Sequence, residues 1–169
     1  MENNLQHENA ELKARLRAFA AIMRLGRDAF EQPDLTTVGV HIVNNSRTLL
    51  AYESSCLADM RGKPSIVAEY AQVEVKQHTE YAADVKTLCR NLDFSGGMVE
   101  LSDRNETLKK LPQKTQDAFE RLTEEGGSLI LVPLRSTRYR NSAKEPFVWL
   151  TEFNGTVPTH VEATIPLLA

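Results

Sequence analysis

The chain has 169 residues, 41% hydrophobic and 25% charged, enough length and apolar content for one cored domain, which excludes wholesale disorder. A net charge of −3 gives no overall pull toward nucleic acid. Two cysteines, Cys56 and Cys89, are too few for a disulfide framework and lack CxxC spacing, so they fit a reducing compartment and count against a structural zinc site.

The opening segment, "MENNLQHENAELKARLR", is polar and lacks the apolar run of a signal peptide. It carries a heptad-like stripe in which Leu5, Leu12 and Phe19 alternate with Leu16, Met23 and Phe30. Asn9 and Gly26 are its weak points. The spacing predicts one amphipathic helix over 5–31, ended by "EQPD". Its apolar seam faces either the protein's own core or the same helix of a second copy.

Residues 34–49 suit two readings. Leu35, Val38, Ile42 and Leu49 make a helical stripe behind Asp34, a good N-cap, while Val38, Val40 and Ile42 suit a strand. The flanking Pro-Asp and Asn-Asn-Ser-Arg favour the helix. From Leu50 to Met60 the even positions are apolar or small and the odd ones mostly polar, the pattern of a half-buried strand. That places Cys56 on the inward face between Tyr52 and Met60. "RGKP" supplies a turn and "SIVAEYAQVEV" a second strand, giving a hairpin.

"QHTEYAADVKTLCRNL" returns to helical spacing through Tyr81, Val85, Leu88 and Leu92, with Cys89 beside them. A short strand follows at Met98–Leu101, then two helical pieces over 104–125 divided by Pro112 and stopped by "EEGG". "SLILVPL" (128–134) suits a central strand and "FVWLTEF" (147–153) its antiparallel partner. A final helix is expected from Pro158. No apolar run approaches a membrane span, so a cytoplasmic domain is expected. The apolar "EATIPLLA" at the end is expected of a piece of a longer protein.

This order is α+β: a central antiparallel sheet of five to six strands flanked by helices. Residues 1–31 supply a helix packed on the domain formed by 32–169. The layout resembles a GAF domain, on the strength of the long leading helix, the stretch from "DLTTVGV" to "VAEYAQ", and the closing "GGSLILVPLR" and "FVWLTEFNG". The resemblance implies a ligand pocket between the sheet and the mid-chain helix, and a homodimer formed through the terminal helices. Tyr52, Cys56, Tyr70, His78, Tyr81 and Trp149 are the positions it implies for the pocket. A sensory, regulatory or assembly module without catalysis follows, binding an unidentified small molecule. The Asn-Lys…Phe…Asp-Glu pattern of the cyclic-nucleotide-binding members is not evident, and no chromophore or metal-ligand set can be matched, so no cofactor is expected. The chain also resembles the divergent GAF-like domains of bacterial export adaptors of the membrane-fusion, or HlyD-like, group, which meet the membrane through a segment outside such a domain.

The chemistry-bearing residues favour binding over catalysis. Cys56, mid-strand on an apolar face, lacks the neighbouring cation or helix N-terminus that activates a thiol. A thiol enzyme using Cys56 with a histidine brought close by folding is the alternative. His7, His41, His78 and His160 show no metal-ligand spacing. "SGGM" is no phosphate loop and there is no Gly-x-Ser-x-Gly elbow. The loop "RSTRYRNSAKEP" gathers Arg135, Arg138, Arg140 and Lys144, a candidate patch for an anion or an acidic partner.

Overall fold

The computed structural model describes residues 2–123, 126–134 and 147–157. In chain order the elements are α1 (Glu2–Phe30), α2 (Leu35–Asn45), α3 (Arg47–Leu50), β1 (Ser54–Asp59), β2 (Ser65–Glu69), α4 (Glu80–Asn91), β3 (Val99–Ser102), α5 (Glu106–Lys109), α6 (Gln113–Leu122), β4 (Ser128–Leu134) and β5 (Phe147–Phe153). The strands form one antiparallel sheet in the order β2-β1-β5-β4-β3. The final helix expected from Pro158 and the loop carrying Arg135, Arg138, Arg140 and Lys144 lie outside the described residues.

Residues 35–45 are helical, as Asp34 suggested: its carboxylate accepts from Thr37 N at 2.9 Å and from the Thr37 hydroxyl at 3.0 Å. Those bonds satisfy an N–H that the first helical turn cannot pair internally. They also hold the Asp34 carboxyl below its usual range, the Thr37 backbone N–H contributing most. Thr79 caps α4 in the same way, accepting from Ala82 N at 3.1 Å.

The sheet is buried on both faces, and that is where the alternation argument for β1 needs correcting. One core cluster takes Cys56, Ala58, Leu129, Leu131 and Leu150 with the inner sides of α4 and α6. The other takes Leu57, Ala68, Ile130, Val132 and Trp149 with Val43 of α2. Four consecutive residues of β1, Ser55 to Ala58, are buried, because helices cover each side of the pleat. Tyr52 belongs to the α2 layer and not to the face of Cys56. It precedes β1, and its hydroxyl donates to Val43 O at 2.6 Å. The α2 layer is further tied down by Trp149 Nε1, which donates to Ser55 Oγ at 2.8 Å, while Ser55 Oγ donates to Leu150 O at 3.1 Å.

The second strand is shorter than its apolar rhythm suggested. β2 stops at Glu69, and Ala71 takes a left-handed conformation with φ 58°. The free edge of β2 is then occupied by a side chain. Gln77 Oε1 accepts from Ile66 N at 2.9 Å and Gln77 Nε2 donates to Ile66 O. One amide thus stands in for a neighbouring strand and blunts an edge that would otherwise invite pairing.

The orientation of α1 answers the question its stripe raised. Ile22, Leu25, Gly26 and Ala29 line a small hollow of about 130 Å³ against Ile42, Ser46, Leu134 and Trp149. The heptad seam is rotated away from this contact by roughly 100°. Leu12, Leu16, Phe19 and Met23 are 59%, 65%, 56% and 60% exposed. The seam does not serve the domain's own core.

Candidate functional site

The layer between the sheet and α4, where the resemblance implies a pocket, is filled by protein. Cys56, Ala82, Val85, Leu88, Leu101 and Phe119 are each no more than 1% exposed there. The α4 and α6 helices are clamped over it by a bidentate pair. Arg121 Nε and Nη2 reach the buried Asp84 carboxylate at 2.9 and 2.7 Å. Such a fork fixes the relative position of the two helices as well as pairing the charge.

Polar groups inside this layer are few. Cys56 Sγ, the Tyr81 hydroxyl, Ser54 and Glu69 gather at the β2 side. Burial pushes the Cys56 thiol up to about 12, far from a reactive thiolate near neutrality. The Tyr81 hydroxyl is also raised, first by burial and then by the Cys56 thiol, and has no hydrogen-bond partner of standard geometry. Glu69 is raised by burial. Cys89 is raised by burial as well. These are packing thiols in an apolar layer.

The six positions implied for a pocket therefore do not converge. Cys56 and Tyr81 meet on the α4 side. Tyr52, Tyr70 and Trp149 fall on the α2 side, with the Tyr52 and Tyr70 rings edge to face at 5.9 Å. Arg47 sits 5.0 Å over the Tyr70 ring and donates to Tyr52 O at 3.0 Å, which makes this group a structural knot. His78 is exposed, just before the Thr79 cap. Among the described residues no group of three His, Cys, Asp or Glu side chains is placed to hold a metal ion.

Among the described residues a concavity lies instead at the rim, where the end of α4 meets β3 and α5. This cleft of about 450 Å³ has a floor of Leu92, Met98, Val99 and Leu111, and a margin that includes Asp93, Glu100, Asn105 and Lys110. Asn105 is fixed from both ends: its Nδ2 donates to Glu100 O at 2.8 Å and its Oδ1 accepts from Thr107 N at 2.8 Å. Asp93 accepts from Ser95 N and Oγ, both at 2.9 Å, and the backbone N–H leads in lowering its pKa. An apolar floor with separated charges at its margin can hold a small amphiphilic molecule. Nothing in it activates a nucleophile. Sequence reasoning did not find these residues, because loop and helix-end positions from three elements carry no shared spacing.

No family model matches the chain, and no curated protein matches it. Solved structures do. A GAF domain of A. aeolicus nlh2 in an inactive state superposes with a TM-score of 0.56 at 13% identity, over 91% of this chain and 90% of that one. The chromophore-binding domain of Stigmatella aurantiaca phytochrome P1 gives 0.56 at 13% identity, over 90% of this chain and 57% of that chain. Residues 122 to 287 of a methyl-accepting chemotaxis protein give 0.55 at 14% identity, over 88% and 91%. The chain has a GAF-like fold. The export-adaptor resemblance finds no support in these structures. Among the described residues no helix is long and apolar enough to cross a membrane.

Proposed function

We propose that the chain is a non-enzymatic sensory, regulatory or assembly module that pairs with a second copy of itself through α1. The observation that carries this reading is the seam of Leu12, Leu16, Phe19 and Met23, each more than half exposed at i, i+4, i+7 and i+11. Fully burying a side chain of this size contributes roughly 1.5–3 kcal/mol. The exposed half of four of them leaves on the order of 3–6 kcal/mol per chain ungained without a partner. A second α1 is the occupant that matches a heptad stripe, because the same spacing on both helices interlocks side chain by side chain.

The solved structures that share the fold come from a methyl-accepting chemotaxis protein and a phytochrome, which supports a role within a longer signalling or assembly protein. The cleft at Asp93, Glu100, Asn105 and Lys110 is the place for a small molecule. Its occupancy alters helix packing only if it binds two arrangements of the dimer unequally.

Phe19→Cys places a thiol on the exposed seam while the two native thiols stay buried. A thiol-specific bifunctional cross-linker is expected to join this variant into a species of twice the chain mass, and adding Leu16→Glu is expected to abolish the product. A product confined to the single-chain mass contradicts the pairing.

A further inference from the structure

The rim cleft carries two charges of opposite sign that are not spent on the protein. Glu100, half-buried on β3, and Lys110, at the end of α5, both line it. Neither side chain makes an ion pair or hydrogen bond among the described residues. The charges around them are already engaged. Lys109 Nζ donates to Glu106 Oε1 at 2.8 Å, and the Asp93 carboxylate accepts from Ser95 N and Oγ.

The cleft is also preformed, on an apolar floor. Asn105 ties β3 to the start of α5 through Glu100 O and Thr107 N. Gln116 Nε2 donates to Leu111 O at 2.8 Å, which holds the floor from the α6 side. Val99 is fixed by its pairing with Leu131 of β4. The remaining polar groups divide by sign. Asn91 Nδ2 donates to Thr87 O at 2.8 Å, so its Oδ1 is left as an acceptor. The same helix, α4, ends in the cleft, and the partial negative charge of a helix C-terminus favours a cation. Thr107, one turn before Lys110, adds a hydroxyl donor. A phosphate ester would meet the carboxylates of Asp93 and Glu100 against a single ammonium. A small zwitterion with an apolar tail leaves neither Glu100 nor Lys110 unmatched and uses the floor as well.

We propose that the rim cleft takes a free α-amino acid with an apolar side chain. Its carboxylate meets Lys110 and the Thr107 hydroxyl, and its ammonium meets Glu100 and Asn91 Oδ1. Its side chain covers Leu92, Met98, Val99 and Leu111. The assignment rests on the reading of this cleft as the domain's place for a small molecule, and it stands whether or not α1 pairs with a second copy.

The test is an NMR titration of the isotopically labelled chain at neutral pH, following the Val99 and Leu111 amides. The probes are L-leucine and L-phenylalanine, with N-acetyl-L-leucine, which lacks the ammonium, and L-leucinamide, which lacks the carboxylate. The expected result is a saturable shift with at least one of the two amino acids. Each single-charge analogue should bind about tenfold or more weakly than L-leucine. Lys110→Gln should weaken L-leucine but not L-leucinamide, and Glu100→Gln should weaken L-leucine but not N-acetyl-L-leucine. Spectra unchanged away from the cleft verify that both variants are folded. Equal affinity for L-leucine and either analogue, or amino-acid binding that survives both substitutions, overturns the assignment while keeping the cleft as a small-molecule site. No saturable shift with any of the four compounds overturns both.

Discussion

At Gly39 the α2 helix comes so close to the hairpin that an added Cβ would lie 3.1 Å from Ala68 Cβ, 3.2 Å from Leu57 Cδ2 and 3.3 Å from Val67 Cγ1. Replacing it by alanine recovers up to about 1 kcal/mol of helix propensity against a shift of a few neighbours, so Gly39→Ala should be close to neutral. Gly39→Leu has no such offset and should cost about 2–3 kcal/mol by overpacking. Denaturant unfolding of the two variants checks this, and equal stabilities would contradict the close approach. Glu69 gives a pH signature. Burial raises its pKa in the folded state, so folding binds its proton more tightly and the ionised form opposes folding. That penalty grows as pH rises through the carboxylate range and is absent below it. Glu69→Gln should therefore melt higher than the wild type near neutral pH, with the gap closing in acid. A gap that widens on acidification would reverse the sign. At this scale Asp34 was legible as a cap because capping is local chemistry, whereas Gly39 was silent, since its neighbours come from a hairpin far along the chain.

Helix and strand identities came through their periodicity wherever one face was buried. β4 and β5 were legible as apolar runs, and α2 was legible through its cap. β2 was read too long because the apolar rhythm of "SIVAEYAQVEV" continues after the hydrogen bonding stops at Glu69. The residue that takes over that edge, Gln77, is eleven positions from Ile66, and its polar side chain gives no hint of the strand-like role. Gln77→Ala removes two hydrogen bonds to Ile66 and should lower stability by about 1–3 kcal/mol, with faster exchange of the Ile66 amide. Unchanged exchange there would show that the side chain does not guard the edge. The same limit applied to α1. Its stripe was plain in the sequence, but only the position of Ile22 and Leu25 against Ile42 and Trp149 shows that the stripe faces outward.

For the molecule as a whole, the sheet order β2-β1-β5-β4-β3 puts β5 in the middle and lets helices bury both faces. That arrangement separates Tyr52, Tyr70 and Trp149 from Cys56 and Tyr81, positions that the GAF resemblance had implied for one pocket. Alternation assigns a parity to each side chain, but it cannot say whether the opposite face is water or a second layer. Among the described residues, with the α4 layer filled and Cys56 inaccessible, the rim cleft and the α1 seam stand out as surfaces for function. The seam bears most directly on the role as a paired module. Sedimentation equilibrium of the wild type beside Leu16→Glu tests it. The account predicts a wild type of twice the chain mass and a variant of single-chain mass with the same circular dichroism beyond its first helix. Equal, single-chain masses for both at every concentration would contradict it.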